Sequence, residues 1–190
     1  MNYLAHSFLI FSEQQIVGQF LEDYVKNNQR ESLPKEIQQG IILHRAIDTF
    51  TDSHPIVSEA KKIYQPLVRL YSGAFVDVSF DYFLANSLSE KDLKAHINVV
   101  HLALRKYENY FPTTFKNRLA SMEKNNWLFN YKFDLGIEYS FQNVLNKAKY
   151  LEKDIPLHEV FLQNKDFLQQ KFDLFFPELQ THISEINSKF

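Results

Sequence analysis

Three ionisable side chains recur at every fourth position of the stretch 40–55: His44, Asp48 and Asp52. At about 100° per residue, this spacing places all three on one stripe of an α-helix. Apolar residues cover most of the remaining circumference, so the helix is expected to be largely buried. Because an unpaired buried charge is costly, the stripe needs a partner, which is a metal ion, an arginine or a hydrogen-bond network.

A second acidic pair, Asp77 and Asp81, has the same spacing within the apolar stretch 75–85. Asp23 lies at the edge of another apolar arc, and His6 lies in the apolar N-terminal segment. Histidines and carboxylates that converge from facing helices are the usual means by which a helical bundle binds a divalent cation. The sequence therefore predicts a metal site, with these candidate ligands: His6, Asp23, His44, Asp48, Asp77 and Asp81.

Three of the polar residues have a second interpretation. His6 also fits a hydrogen-bonded histidine of the core, and Asp52 also fits a cap for the residues that follow it. Arg45 lies at the edge of the polar stripe, where its guanidinium would either neutralise the buried carboxylates or bind a phosphate. The residues alone leave these alternatives open.

The chain contains no cysteine, which excludes disulfides, thiolate metal sites and cysteine nucleophiles. Ligands drawn from His, Asp and Glu suit Mn, Mg, Fe or Zn. No Gly-x-Ser-x-Gly motif occurs, and the 4 glycines are too scattered to form a phosphate-binding loop. The sequence therefore disfavours both a serine nucleophile and nucleotide-dependent group transfer.

The length of 190 residues suits one domain, and we predict a single-domain, all-α helical bundle over residues 1–190. Period-two alternation long enough for a β-sheet is missing from the sequence. The net charge of -2 indicates no general attraction to nucleic acid. The N-terminal residues do not resemble a signal peptide and no apolar run is long enough for a membrane span, so we expect a cytoplasmic protein.

Apolar periodicity and the positions of proline and glycine predict a series of helices separated by short breaks. The stretch 27–34 is expected to be a polar break, residues 72–73 another, and Gly136, Pro156 and Pro177 are expected to lie in turns. The predicted helices cover about 3–11, 13–27, 34–53, 56–71, 75–85, 93–107, 113–125, 137–150, 157–175 and 178–187.

Several motifs, in order over most of the chain, resemble those of the acyl carrier protein phosphodiesterases, also called acyl carrier protein hydrolases. Such co-linearity is more specific than any single motif. The matching segments are Met1–His6, Gly18–Val25, Gly40–Pro55, Asp77–Leu84, Trp127 and Phe141–Asn146.

The resemblance implies a helical enzyme similar to the HD-type metal-dependent phosphohydrolases. The implied reaction is hydrolysis of the phosphodiester that joins 4′-phosphopantetheine to a serine of holo acyl carrier protein, with Mn²⁺ as the expected metal. A divalent cation would polarise a phosphoryl oxygen and activate water for attack. Carried over by position, the six candidate ligands become metal ligands or the carboxylates that orient them. The predicted catalytic residues are Asp23, His44, Asp48 and Arg45.

Three positions depart from the family pattern. Arg45 follows His44, so the His-Asp doublet of typical HD enzymes is absent. Tyr82 stands where relatives often carry a histidine, and Gln19 stands at the second position of a Gly-Asn pair. Two alternatives therefore remain. One is a phosphohydrolase of the same scaffold that acts on a nucleotide or another small phosphodiester, and the other is a non-enzymatic binding module whose acids pair with Arg45 and Arg69.

Basic residues outnumber acidic residues by 7 to 5 between Lys26 and Arg69. Because acyl carrier proteins are strongly acidic, a basic rim would speed encounter and orient the partner. The predicted substrate contacts are Arg45, Lys26 and Asp52. An ordinary solvated helix face is the alternative interpretation of the same charges.

Overall fold

The described chain consists of α-helices and short 3-10 turns, and no β-strand occurs in it. The computed structural model describes residues 1–190, apart from the side chain of Asn27. The predicted all-α class is confirmed. Each helix in the described chain is too short or too polar to span a membrane. The α-helices are Tyr3–Phe8 (α1), Glu13–Leu21 (α2), Asn27–Arg30 (α3), Lys35–Ser53 (α4), Pro55–Val68 (α5), Ser72–Ser87 (α6), Glu90–Lys106 (α7), Thr113–Lys124 (α8), Trp127–Asn130 (α9), Asp134–Lys147 (α10), Leu157–Gln163 (α11) and Lys165–Asn187 (α12).

Local signals explain where the site-bearing helices begin and end. The side chain of Ser12 caps α2 by accepting a hydrogen bond from the backbone amide of Gln15. Pro55 occupies the first position of α5, where its missing N–H group is not needed. The predicted start of a helix at Glu13 and the predicted end of another at Ser53 agree with α2 and α4.

Helices α2 and α4 pack with their backbones in contact, because each carries a glycine at the crossing. A Cβ atom on Gly18 would lie 2.2 Å from the carbonyl oxygen of Ile37, and a Cβ atom on Gly40 would lie 2.2 Å from that of Gln15. No larger residue fits at these distances. The crossing fixes the position of α4, which carries His44, relative to α2.

Helix α6 lies at the centre of the hydrophobic core and is buried on nearly every side. The ring of Phe75 lies 5.5 Å from that of Phe141 on α10, and the ring of Phe80 lies 5.6 Å from that of Phe175 on α12. Each buried ring removes about 150–250 Å² from water. Packing on nearly every side therefore fixes the position of α6 and of the two aspartates that it carries.

The predicted breaks at residues 72–73 and at Gly136 are wrong. Helix α6 begins at Ser72, so Gly73 lies in its first turn. Gly136 lies inside α10, where a Cβ atom would be 1.8 Å from the carbonyl oxygen of Asn130. This glycine allows close packing against the end of α9 and does not mark a turn.

The predicted turn at Pro177 is also wrong, because α12 continues through this residue. Phe176 and Leu179 on either side of the proline are buried in the core. Their burial offsets the hydrogen bond that proline removes from a helix. Residues 27–34, predicted to be a polar break, contain the short helix α3.

Candidate metal centre and cleft

Two imidazoles and one carboxylate converge between α1 and α4. The Nε2 atom of His6 lies 3.1 Å from Oδ1 of Asp48, and the Nε2 atom of His44 lies 3.2 Å from Oδ2 of the same residue. The two imidazole rings stack with their centroids 4.1 Å apart. The i, i+4 spacing on α4 predicted the proximity of His44 and Asp48, and the structure places His6, another of the predicted ligands, against the same carboxylate from a second helix. These three residues are called the His6–His44–Asp48 group below.

Gln19 on α2 sets the orientation of the His6 ring. Its Nε2 atom donates a hydrogen bond to the carbonyl oxygen of Gly40 at 3.1 Å, which turns its Oε1 atom toward His6. The Oε1 atom lies 2.9 Å from Nδ1 of His6 and can only accept, so Nδ1 carries the proton. The lone pair of the neutral ring is then on Nε2, the atom that points at Asp48.

The group is electrostatically coupled. Burial lowers the pKa of His6, although Asp48 opposes this effect. Burial also acts to lower the pKa of His44, but the hydrogen bond to Asp48 and the nearby carboxylates outweigh it and raise that pKa. Burial acts to raise the pKa of Asp48, but the hydrogen bond from His44 and the nearby Met1 amino group hold the pKa well below its usual range. The carboxylate of Asp48 is therefore ionised at neutral pH.

The donor set fits a divalent cation. The ligand atoms of the group lie within 4.8 Å of one another. Adjacent ligands of an octahedral ion are about 3 Å apart when each bond is about 2.1 Å, which matches the two nitrogen–oxygen distances. The neutral Nε2 of His6 directs its lone pair at Asp48 Oδ1, so two hydrogen-bond acceptors face each other without a proton between them. A cation bound between these two atoms would remove their repulsion. His44 Nδ1 and Thr51 Oγ1 are buried without a hydrogen-bond partner among the described residues.

A second set of possible ligand atoms overlaps the first at His44. It comprises Glu22, Asp23 and His44, again within 4.8 Å of one another. Glu22 Oε1 accepts hydrogen bonds from Arg30 at 2.8 Å and from Arg45 at 2.9 Å, so this carboxylate is already neutralised. Asp23 is exposed and lines the cleft described below. The structure thus places Asp23 beside His44, as an accessible carboxylate.

The two aspartates of α6 have different environments. Asp77 lines the cleft, and its Oδ1 lies 3.1 Å from the α-amino nitrogen of Met1. Asp81 is fully buried and its two oxygens accept hydrogen bonds from the backbone amides of Leu4, at 2.9 Å, and Ala5, at 3.2 Å. Burial raises the pKa of Asp81 to about 7. Asp81 anchors the start of α1, and the geometry offers no support for its predicted role as a ligand.

The predicted substrate contacts lie at or beyond the rim. Asp52 lines the cleft and its Oδ1 accepts a hydrogen bond from Lys61 at 3.0 Å. Arg45 is half exposed and donates from Nε to Glu22. Lys26 is exposed, and neither it nor Arg45 is among the residues that line the cleft.

A cleft of about 860 Å³ opens from the His6–His44–Asp48 group toward α8, α9 and α10. The spacing of residues did not predict this wall, because α8 and α10 have ordinary amphipathic patterns and their cleft residues are far from the site in sequence. In the sequence, Gln19 stands out only as a departure from the family pattern. The wall residues are Arg118, Asn125, Trp127, Asn130, Tyr131, Gly136, Tyr139, Ser140, Asn143, Val144 and Lys147.

Comparison with known proteins gives consistent matches over most of the chain. The family described as "Acyl carrier protein phosphodiesterase" matches residues 1–179. The chain is 26% identical over 184 residues to a protein of that name from an Enterobacter species, covering 94% of this chain and 95% of that one. It is 27% identical over 184 residues to a Yersinia pestis protein of the same name, with the same coverage, and 27% identical over 136 residues to one from Photorhabdus laumondii, covering 69% of each. No solved structure matches.

Proposed function

Because the chain belongs to the acyl carrier protein phosphodiesterase family, we propose that it hydrolyses the phosphodiester between 4′-phosphopantetheine and the serine of holo acyl carrier protein. The products would be apo carrier protein and free 4′-phosphopantetheine. The observation that carries the proposal is the His6–His44–Asp48 group, which lines the cleft. We further propose that this group holds a divalent cation and that Mn²⁺ serves in this role.

The charges of the cleft support a bound cation. Four carboxylates line it, and the contacts of Met1 with Asp77 and of Lys61 with Asp52 offset only part of the negative charge that would repel an anionic phosphodiester. The imidazoles of the group are suited to hold a cation beside these carboxylates. The four acidic residues are Asp23, Asp48, Asp52 and Asp77.

The residues of this chain have separable tasks in the proposed reaction. A divalent cation held there supplies Lewis-acid activation of a phosphoryl oxygen and of water. Gln19 keeps the Nε2 lone pair of His6 directed into the site, and His44 and Asp48 complete the donor set. Asp23, accessible and next to His44, accepts the proton of the attacking water. The water oxygen bonds to phosphorus and the bond from phosphorus to the serine oxygen breaks. The serine oxygen leaves as a hydroxyl after taking up the proton that Asp23 accepted, directly or through solvent.

Intact-mass measurement of a holo carrier protein tests this proposal directly. Incubation with the enzyme and Mn²⁺ should reduce the carrier mass by the phosphopantetheine group, and chelator should prevent the reduction. Asp48→Asn should abolish the reaction, whereas Asp154→Asn, which alters an exposed aspartate outside the cleft, should leave it unchanged. Unaltered carrier mass after incubation with metal-loaded enzyme would contradict the proposed substrate.

The two alternatives predict different outcomes of the same measurement. A phosphohydrolase for small phosphodiesters would cleave a nucleotide or a model diester and leave holo carrier protein intact. A binding module would cleave neither, and its stability would not respond to Mn²⁺ or chelator. The contacts of Asp48 and Asp77 do not favour the binding module. These acids contact histidines and the Met1 amino group, whereas that alternative requires them to pair with Arg45 and Arg69.

A further inference from the structure

The cleft wall contributed by α8 and α10 carries two cations. Arg118 projects from α8 and Lys147 from the last turn of α10. They are the only lysine or arginine side chains among the described residues that line the cleft. The cleft therefore carries two side-chain cations on this wall, in addition to the Met1 amino group that contacts Asp77 among the carboxylates and histidines.

Arg118 is held in place by groups that do not neutralise it. Its Nη1 donates a hydrogen bond to the hydroxyl of Tyr3 at 2.9 Å, and its guanidinium lies 5.8 Å from the ring centre of Tyr24. The Tyr3 ring stacks on Phe20 with centroids 5.5 Å apart, which fixes the hydroxyl. No carboxylate oxygen of the described residues lies within 4.0 Å of Arg118 in an ion pair. The guanidinium is thus pre-positioned with hydrogen-bond donors to spare.

Lys147 has a charge that its surroundings offset only in part. Partial burial lowers its pKa first and the proximity of Arg118 lowers it further, while Asp23 opposes both. Among the described residues it makes no ion pair within 4.0 Å. An anion bound between Lys147 and Arg118 would relieve their mutual repulsion.

The two cations line the same cleft as the proposed metal centre. Asp23, which also lines that cleft, contributes to the electrostatics of His44 as well as of Arg118 and Lys147. Tyr3, which holds Arg118, is on the same short helix as His6. An anion that contacts both cations would therefore lie in the same cleft as the His6–His44–Asp48 group.

We propose that Arg118 and Lys147 form the subsite that binds the phosphate of the substrate, with Arg118 contacting two oxygens through its planar fork and Lys147 acting as a point charge. This inference rests on the proposed function, since it assigns the phosphate of 4′-phosphopantetheine as the anion. A guanidinium suits such an oxyanion because it donates two parallel hydrogen bonds.

Calorimetric binding of two probes, 4′-phosphopantetheine and pantetheine, tests the subsite without turnover. In Mn²⁺ buffer the wild-type protein should bind the phosphorylated probe more tightly than the other. Arg118→Met and Lys147→Met should each reduce this phosphate-dependent ratio about tenfold or more, and Arg118→Lys should restore part of it. Lys124→Met on α8 and Lys149→Met after α10 are matched controls outside the cleft and should leave the ratio unchanged.

Two results would overturn the inference. One is an unchanged binding ratio in Lys147→Met, whose exposed side chain can be replaced without loss of the fold. The other is a wild-type protein that binds the two probes equally well. Failure of the proposed function has a different signature. In that event holo carrier protein would not be cleaved, while the ratio would still depend on Arg118 and Lys147.

Discussion

The side-chain amide of Gln19 links the packing of two helices to the chemistry of His6. Its Oε1 accepts a hydrogen bond from His6 Nδ1 at 2.9 Å, and its Nε2 donates to the carbonyl oxygen of Gly40 at 3.1 Å. Both the oxygen and the nitrogen of the amide form hydrogen bonds. These bonds fix the ring orientation and the tautomer of His6. The orientation of His6 Nε2, the proposed metal-binding atom, thus depends on the contact between α2 and α4.

We expect Gln19→Leu to weaken Mn²⁺ binding about 10- to 100-fold, because His6 loses the partner that orients its ring. Titration calorimetry with Mn²⁺ measures the change. Gln14→Leu, on the same helix but away from His6, is the matched control and should bind as the wild type does. Equal affinity in Gln19→Leu would show that the amide does not orient the ligand.

Gly40→Ala should lower the free energy of unfolding by about 2–4 kcal/mol, because its methyl group would meet the backbone of Gln15. Gly73→Ala should change that free energy by less than about 1 kcal/mol. At Gly73 the nearest atom to a new Cβ is Lys61 Cε at 3.3 Å, the far end of a flexible side chain. Urea unfolding measures both values, and a fully stable Gly40→Ala would contradict the close crossing of α2 and α4.

In the metal-free protein, His44 should stabilise the fold more at low pH than at high pH. Burial opposes its charge, but the hydrogen bond to Asp48 raises its folded-state pKa above the unfolded value of about 6.5. The stabilisation is therefore complete below about pH 6.5 and is lost as pH rises through the folded-state pKa. Urea unfolding of the wild type and His44→Gln in chelator, at about pH 5.5 and about pH 8.5, tests this. The difference in unfolding free energy should be larger at the lower pH, and a larger difference at the higher pH would contradict the assigned contact.

Asp23→Asn should reduce kcat on holo carrier protein by about 10²–10⁴-fold while leaving Mn²⁺ affinity and stability nearly unchanged. The reason is that an amide of the same shape cannot accept the proton of the attacking water. Steady-state kinetics and Mn²⁺ titration on the same preparation separate the two effects. A variant with normal kcat would remove Asp23 from the proton transfer, and one with lost Mn²⁺ binding would make it a metal ligand.

Local signals in the sequence predicted much of the fold. The 3.6-residue periodicity and the caps identified most helices, and the i, i+4 spacing correctly placed His44 beside Asp48. The predicted turns at Gly136 and Pro177 are wrong, because both residue types usually break helices and only tertiary packing shows why these do not. Burial in the core overrides local propensity at such positions.

The candidate site depends on contacts that spacing cannot reveal. Asp77 and Asp81 share their spacing with the pair on α4, yet packing of α1 against α6 buries Asp81 under two backbone amides and leaves Asp77 in the cleft. Arg118 and Lys147 belong to ordinary amphipathic helices, and only the packing of α8 and α10 brings them to the site. Long-range packing therefore decides which polar residues meet.

Anomalous diffraction from a crystal soaked in Mn²⁺ tests the central claim most directly. We predict a peak at about 2.2 Å from His6 Nε2, His44 Nε2 and an oxygen of Asp48, and no such peak in Asp48→Asn. A soaked wild-type crystal with no peak at these atoms, or with its Mn²⁺ bound elsewhere in the cleft, would contradict the assignment of the His6–His44–Asp48 group as the metal centre.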